Sequence, residues 1–253
     1  NSQNFLETTL KSVEEQTYKE WEIIIINDGS SDNTDNIINE FIKLNKHLSI
    51  IYYTQENKGL AFSRNKAVKF AKYKWIAILD HDDIWQKNKL EIQNKEINTY
   101  SNSKLFFGDC YWLTENNILK KTRFENLKEK DFFNPHSLNL KKNYAYPNLI
   151  KYGCFITSSS VVFSKKAYSD VFGFNQSYKF ITDYIFFNEV AKKYGLYCSN
   201  QVLCKYRLSA NQATNQMRST YYSEMFMFYK SIDISKIIIL KIKLIIFKRH
   251  IKL

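Results

Sequence analysis

The amino-acid sequence predicts an α/β fold in which a mainly parallel central sheet is flanked by helices. Short, continuous runs rich in β-branched residues, at Trp21–Ile26 and Trp75–Leu79, are typical of strands that are buried on both faces. Segments with apolar residues at helical spacing lie between these runs. The resulting β-α-β-α order indicates an α/β domain with a mainly parallel sheet.

The elements follow in order along the chain. An amphipathic helix is predicted over 3–16, before the first strand, and a second helix begins near Asp32, which can cap it. Further strands are predicted at Ser49–Tyr53, Leu105–Trp112, Thr157–Phe163 and Val202–Leu208, and further helices over 59–72, 86–98, 183–194 and 216–230. The segment 114–150 is polar, rich in Asn and Lys and contains both prolines, which favours a long loop with a little helix.

Composition is that of a folded domain. The 253 residues are 44% hydrophobic and 16% aromatic, which suffices for one large domain and excludes a largely disordered chain. The formal net charge of +12 suits a polyanionic partner: nucleic acid, an anionic membrane or a phosphate-bearing substrate. The residue usage of an AT-rich genome explains the charge equally well. The four cysteines lack zinc-ligand spacing and are interpreted as reduced core thiols.

The two ends of the chain differ from the middle. No signal peptide and no apolar run long enough to span a bilayer is recognisable. The chain opens at Asn1 without Met, so we expect a missing first strand of about 8–12 residues before it. We therefore predict a domain over 1–231 and a basic, hydrophobic tail over 232–253. The tail suits either a helix on anionic lipid or packing against the domain.

Acidic residues follow two of the predicted strands. Ile26 leads into Asn27 and Asp28, and Leu79 leads into the cluster Asp80-His81-Asp82-Asp83. Because ligands of open α/β sheets bind beyond the carboxyl ends of the strands, both groups are expected at one rim of the sheet. Carboxylate oxygens are natural ligands of Mg²⁺ or Mn²⁺, so the cluster is a candidate metal site. A solvated acidic turn is the alternative.

These residues belong to a series of motifs that occurs in one order. The series is Asn27-Asp28-Gly29-Ser30-Ser31-Asp32-Asn33-Thr34, then Asn57-Lys58-Gly59, then Arg64-Asn65, then Leu79-Asp80-His81-Asp82-Asp83. It resembles the successive signatures of the family 2 glycosyltransferases, which have the GT-A fold. The resemblance covers residues 1 to about 110 closely and continues more weakly to about residue 210.

The resemblance implies roles for individual residues. Asp28 matches the aspartate that binds the nucleobase, and Arg64 lies where the family places a donor-binding arginine. The first aspartate of the DxD motif, Asp80, is expected on the donor ribose, and Asp82 on the metal at the diphosphate. Donor binding is thus expected from Asp28, Asn57, Arg64 and Asp80, and metal binding from Asp80, Asp82 and Asp83. Each also has a plainer interpretation, as a turn, a cap or a surface charge.

A second set of motifs resembles the acceptor side of the family. Gly173-Phe174-Asn175 and Thr182-Asp183-Tyr184 are similar to its GxFD and ED stretches. Asp183 is therefore the implied general base, which takes the acceptor proton. Two departures stand out: Thr182 replaces the usual Glu, and Ser209 stands where a His often follows Tyr206-Arg207-Leu208. No QxxRW motif is present, which argues against a processive synthase.

The implied function is inverting, metal-dependent sugar transfer in bacterial surface glycan synthesis. A nucleotide-sugar donor (a UDP-sugar by default), Mn²⁺ or Mg²⁺, and a glycan or lipid-linked acceptor are expected. We also expect a cytoplasmic location, peripheral on the inner face of the plasma membrane. We expect no nucleic-acid partner. Two alternatives stay open. A nucleotidyltransferase would need a Gly-rich, basic loop after its first strand. A non-catalytic sugar-nucleotide-binding module would show no turnover of labelled donor.

Overall fold

The computed structural model describes residues 1–114, 117–129, 142–208 and 218–232. The helices are α1 (Leu6–Glu14), α2 (Thr34–Leu44), α3 (Leu60–Phe70), α4 (Lys89–Thr99), α5 (Arg123–Glu129), α6 (Lys142–Tyr152), α7 (Lys165–Asp170), α8 (Thr182–Tyr194) and α9 (Arg218–Ser231). The strands are β1 (Ile23–Asp28), β2 (Ile50–Gln55), β3 (Trp75–Ala77), β4 (Ile84–Trp85), β5 (Leu105–Leu113), β6 (Ile118–Thr122), β7 (Val162–Ser164) and β8 (Tyr197–Arg207).

The N-terminal layer is a parallel pair of strands covered by helices. β1 and β2 pair in register from Ile23 opposite Ile50 to Asp28 opposite Gln55. Leu6 and Leu10 of α1 pack with Ile38 of α2 against the β1–β2 pair. The apolar stripe that predicts α1 from the sequence is therefore the face that the helix buries.

A six-stranded sheet forms the second layer, in the order β3-β7-β5-β8-β4, with β6 beside β5. β5 and β8 run parallel over the longest pairing of this sheet, from Phe106 opposite Tyr197 to Leu113 opposite Arg207. β7 lies antiparallel between β3 and β5, and β4 lies antiparallel to β8. The α/β class is confirmed, but the sheet is mixed rather than mainly parallel.

The difference in strand direction has a physical reason. A continuous apolar run indicates that a strand is buried on both faces. An inner strand of a mixed sheet is buried in the same way as a strand of a parallel sheet. Direction depends on how the chain returns to the sheet, which is not encoded within the strand. β7 illustrates the point, because all three of its residues are buried between two antiparallel neighbours.

The largest apolar core lies between the six-stranded sheet and the helices α6 and α8. Phe107 and Phe163 extend from the sheet to meet Phe186 and Phe187 of α8, all nearly or fully buried. The rings of Phe163 and Phe186 make an edge contact with centroids 4.9 Å apart. This core holds the start of α8, and with it Asp183, against the sheet.

Two segments differ from the sequence prediction. Within 114–150, where the sequence predicts a long loop with a little helix, the described residues form β6, α5 and most of α6, so regular structure is more extensive than predicted. Pro147 lies inside α6, while Ala145 and Leu149 bury one stripe of the helix four residues apart. Composition misses this helix because its packing, not its propensity, stabilises it.

The second difference concerns Thr157–Phe163, which was predicted as a strand. Ser158–Ser160 form a 3-10 turn, and the strand β7 begins only at Val162. The Ser160 hydroxyl donates to the Thr157 carbonyl oxygen at 2.7 Å. Serine side chains compete in this way with a regular ladder, which explains the turn.

The C-terminal tail prediction falls almost entirely on residues outside the described ranges, and so does Ser209. The boundary at residue 231 therefore stays a prediction. None of the helices in the described ranges is both long and apolar enough to cross a membrane. The sequence predicts four core thiols; all four cysteines are free, and Cys110, Cys198 and Cys204 are buried, whereas Cys154 is half-buried.

Candidate functional site

The acidic cluster forms a tight turn that begins after Ile78 and Leu79, the two residues that follow β3. The Asp83 amide donates to the Asp80 carbonyl oxygen at 3.2 Å and closes the turn. The Asp80 amide donates to Ser159 Oγ at 3.0 Å, and Thr9 Oγ1 of α1 donates to the His81 carbonyl oxygen at 3.0 Å. Contacts from both layers therefore fix the backbone of the cluster.

Asp83 points into the protein. Its side chain accepts hydrogen bonds from the Ser159 hydroxyl at 2.5 Å and from the Arg207 amide at 2.9 Å, and the residue is only 1% exposed. Burial raises the pKa of Asp83 to about 8, and the Asp80 carboxylate adds to the shift. Asp83 is thus an internal hydrogen-bond acceptor in this structure, and the metal prediction depends on Asp80 and Asp82.

Asp80 and Asp82 are the partly exposed acids of the turn. Arg207 Nε donates to the Asp82 carbonyl oxygen at 2.8 Å, which holds the backbone from the β8 side. Burial raises the pKa of Asp82; His81 opposes this shift and the Asp80 carboxylate adds to it. A cation bound between the two carboxylates would relieve that repulsion.

The donor set fits a divalent ion that a phosphate ligand shares. In the part of the chain that the structure describes, no three His, Cys, Asp or Glu side chains form a group that could hold an ion by themselves. Mg²⁺ is usually bound by one or two carboxylates together with substrate phosphates and water. Asp80 and Asp82 supply such a pair at the end of β3.

Arg64 of α3 joins the two halves of the site. Its Nη2 donates to Asp80 Oδ1 at 2.7 Å, and its Nη1 is in contact with Asp183 Oδ1. The Arg64 side chain is 11% exposed, and its guanidinium carbon lies 5.6 Å from the centre of the Phe174 ring. The structure thus brings the predicted donor-binding Arg64 and Asp80 together with the predicted base Asp183.

Asp183 lies in the first turn of α8, where the helix dipole favours a carboxylate. Its Oδ2 accepts a hydrogen bond from the Ser158 hydroxyl at 2.5 Å, while Oδ1 faces Arg64. The Asp183 side chain is 19% exposed. The carboxylate is therefore held on both oxygens and still reaches the surface.

Asp28 fastens the loop that precedes α3. Its carboxylate accepts from Gln55 Nε2 and from the backbone amides of Lys58 and Gly59, each at 2.8 Å. Gly29 has a φ of +77°, and a Cβ there would lie 2.8 Å from the backbone nitrogen of Asn57. The first two motifs thus form one packed unit, with the Asn57 side chain exposed at its surface.

Asn65 is a structural clamp that the sequence did not predict. Its Nδ2 donates to the Phe174 carbonyl oxygen at 2.8 Å, and its Oδ1 accepts from the Phe174 amide at 2.9 Å. The Tyr168 hydroxyl donates to the same Oδ1 at 2.9 Å. The Arg64-Asn65 motif is thereby tied to the Gly173-Phe174 motif, 109 positions away.

Three further residues at the site were missed. The sequence predicts a strand at Ser158 and Ser159, and it indicates no contact for Arg207. A run of three serines inside an otherwise apolar stretch was the available signal, because buried hydroxyls need partners. Which partners they have depends on the tertiary structure.

Solved structures with the same fold bind nucleotides. TarS of S. aureus, crystallised as residues 1–349 in complex with UDP, has a TM-score of 0.63 at 17% identity, over 88% of this chain and 60% of that one. The mannosyltransferase PcManGT of Pyrobaculum calidifontis, in complex with GDP-Man and Mn²⁺, has a TM-score of 0.63 at 15% identity, over 88% and 60%. The fold is the GT-A fold of glycosyltransferases.

Sequence comparison identifies the family. The profile described as "Glycosyl transferase family 2" matches residues 1–172, and the chain belongs to this family. An uncharacterized glycosyltransferase of Rickettsia prowazekii (strain Madrid E) is 30% identical over 215 residues, which are 85% of this chain and 63% of the relative. The UDP-Glc:alpha-D-GlcNAc-diphosphoundecaprenol beta-1,3-glucosyltransferase WfgD of Escherichia coli is 36% identical over 121 residues, 48% of this chain and 46% of WfgD. The chain spans less than two thirds of each of these relatives.

Proposed function

We propose that this protein transfers a sugar, with inversion, from a nucleotide diphosphate donor to a hydroxyl group of a glycan or lipid-linked acceptor. The observation that carries the proposal is the Arg64 bridge. One guanidinium, on a side chain only 11% exposed, contacts Asp80 of the turn that carries the DxD motif and Asp183 at the start of α8. A donor at the first carboxylate and an acceptor at the second would therefore meet within reach of one side chain.

The donor side favours a nucleotide diphosphate. Asp28 and the Asn57–Gly59 loop lie at the ends of β1 and β2, where a base and ribose would bind, and Arg64 follows in α3. UDP in TarS, GDP-Man in PcManGT and UDP-Glc in the name of WfgD support such a donor. A uridine nucleotide is our proposal for this chain.

A divalent cation is part of the proposal. Asp80 and Asp82 would hold it, and the Mn²⁺ in PcManGT supports the assignment. When bound, the ion supplies positive charge against the leaving diphosphate. Arg207 and Ser159 keep the turn in shape through the Asp82 carbonyl oxygen and the Asp80 amide.

Asp183 is the proposed base. Inverting transfer requires a carboxylate that takes the acceptor proton while the hydroxyl oxygen attacks the anomeric carbon. The carboxylate is in contact with Arg64 on Oδ1 and accepts a hydrogen bond from Ser158 on Oδ2, and both contacts orient it for that role. The transition state has oxocarbenium character, as in glycoside hydrolysis.

The experiment is a screen for nucleoside diphosphate release. The protein is incubated with UDP-, GDP- and dTDP-sugars and Mn²⁺, with and without a GlcNAc-diphosphate-lipid acceptor, because WfgD acts on a diphosphoundecaprenol-linked GlcNAc. We expect acceptor-dependent UDP release that chelator abolishes and Mn²⁺ or Mg²⁺ restores. The Asp82→Asn variant should lose metal-dependent UDP binding, whereas Asp170→Asn, on α7, should keep it. Full activity in chelator would exclude the metal, and the absence of turnover with every donor would favour a binding module.

Peripheral contact with an anionic membrane through the tail is a further part of the proposal. Its support is the composition of residues 232–253, in which short runs of Ile and Leu are separated by Lys and Arg. Each cation near an anionic surface adds about 1 kcal/mol of attraction, which salt screens. Co-sedimentation with anionic vesicles at low salt should require residues after Ser231. Equal sedimentation of the shortened protein would contradict this assignment.

A further inference from the structure

The 3-10 turn Ser158–Ser160 lies between the donor-side acids and Asp183. Ser158 Oγ donates to Asp183 Oδ2 at 2.5 Å. The neighbouring Ser159 Oγ donates to Asp83 Oδ2 at 2.5 Å and accepts from the Asp80 amide at 3.0 Å. Two consecutive residues of one turn therefore hold the two centres of the site.

The turn is itself held by buried groups. The Trp85 Nε1 donates to the Ser159 carbonyl oxygen at 2.7 Å, and Gln93 Nε2 donates to the Ser160 carbonyl oxygen at 2.8 Å. Both Ser159 and Ser160 are fully buried, whereas Ser158 is partly exposed. The Ser158 hydroxyl thus projects from a backbone that its neighbours fix.

Such a hydroxyl restrains the carboxylate of Asp183 more than Arg64 can alone. Rotation about the last bond of an aspartate side chain is broad, so a single contact on Oδ1 leaves the plane of the carboxylate free to turn. The second donor on Oδ2 defines that plane and with it the direction of the remaining lone pairs. A base has to present those lone pairs to the acceptor hydroxyl.

We propose that Ser158 is a positioning residue that orients the carboxylate of Asp183 toward the acceptor and fixes its distance from the DxD turn through the rigid Ser158–Ser160 backbone. The proposal rests on the proposed function, in which Asp183 is the base. Ser158 is proposed to act through the Asp183 carboxylate, which it contacts, rather than on the donor or the acceptor.

The test compares Ser158→Ala with Ser158→Thr, using the donor and acceptor that give turnover with the wild-type protein. The alanine variant should lower kcat roughly tenfold, because losing one hydrogen bond to a charged group raises the activation free energy by about 1.4 kcal/mol. UDP binding in the presence of Mn²⁺ should stay unchanged, since Ser159 still holds the DxD turn. Ser158→Thr keeps a hydroxyl and should restore most of the turnover.

The pH dependence separates positioning from a merely structural effect. Among the described residues, the groups that face Asp183 are the Arg64 guanidinium of α3, with Asp80 beyond it, and the Ser158 hydroxyl. Removing a donor that favours the ionised carboxylate moves the acid limb of the kcat profile to higher pH. Ser160→Ala is the matched control, because it removes a buried hydroxyl from the same turn that does not reach Asp183. It should lower thermal stability without moving the limb.

A second measurement does not need turnover. The ¹³C signal of the Asp183 carboxyl group, followed by NMR through a pH titration, should show a higher midpoint in Ser158→Ala than in the wild type and in Ser160→Ala. An unchanged midpoint together with unchanged kcat would overturn the proposal. If the wild-type protein transfers no sugar but the midpoint moves, the proposed function fails while the contact between Ser158 and Asp183 stands.

Discussion

In the β1–β2 layer, Asp28 is held by Gln55, Lys58 and Gly59, which lie 27 to 31 positions further along the chain. In the six-stranded sheet, Asp83 is held by Ser159 and Arg207, at separations of 76 and 124 positions. The first acid is fastened by backbone amides of a neighbouring motif. The second depends on strands that come together only when the whole sheet has formed.

The two acids also differ in their surroundings. Asp28 stays partly exposed, whereas Asp83 is buried and burial raises its pKa to about 8. Solvent can hydrate the first carboxylate where protein donors are missing, but the second relies on protein donors alone. Similar acidic motifs at strand ends therefore have different roles: Asp28 holds a surface loop in one layer, and Asp83 binds buried groups in the other.

The largest effect is expected from Asp183→Asn. Loss of the base should lower turnover roughly 10²–10⁴-fold and leave UDP binding nearly intact. Steady-state kinetics and calorimetry with UDP and Mn²⁺ measure the two effects separately. The control is Glu189→Gln on the same helix, which should change neither. A loss of UDP affinity as large as the loss of turnover would mean that the Arg64 bridge couples Asp183 to donor binding at Asp80.

A moderate effect is expected from Asp28→Asn. The orientation that loses least places the amide nitrogen against the backbone N–H of Gly59, so one hydrogen bond is lost at a cost of about 1–2 kcal/mol in the free energy of unfolding. Hydrogen exchange should quicken around 55–60 but not in α8, because the contacts of Asp28 are local. Glu56→Gln, exposed in the same loop, is the control. Faster exchange throughout α8 would contradict the contrast between the layers.

The smallest effect concerns Lys89, whose ammonium group is fully buried, 4.2 Å from the centre of the Trp85 ring. Burial lowers the pKa of Lys89 from 10.5 to about 7. Between these values the unfolded chain binds more protons than the folded one, so this group makes stability rise with pH. The Lys89→Met variant should lack that rise.

Urea unfolding at pH 7.5 and 9.5 tests this prediction. The unfolding free energy of Lys89→Met minus that of the wild type should be lower at pH 9.5 than at pH 7.5. Lys95→Met, which changes an exposed lysine of the same helix, should keep a constant difference. A constant difference for both variants would show that Lys89 stays charged in the folded protein.

Motif residues were predictable where their contacts are local. The cluster at Asp80–Asp83 was correctly placed at the end of a strand, and Arg64 near the donor side does contact Asp80. Their roles in donor and metal binding stay predictions. Asp83 illustrates the limit, because nothing in the order of three nearby aspartates indicates which one turns inward.

The acceptor side was harder to predict because its contacts are long-range. Asn65 binds the Phe174 backbone 109 positions away, and Ser158 meets Asp183 across 25 positions that include β7 and α7. No periodic pattern reports such pairs. The run of three serines indicates buried polar groups, but the apolar residues around it favour a strand prediction.

The sequence by itself determined the α/β class, the positions of the main helices and strands, the acidic strand ends and the family. These follow from periodicity and from ordered motifs, which are properties of short segments. Only the tertiary structure decided the mixed direction of the strands, the burial of Asp83, the Arg64 bridge and the serine turn beneath it. Each of these depends on side chains that lie far apart in the chain, and their partners are set by how the layers pack and close.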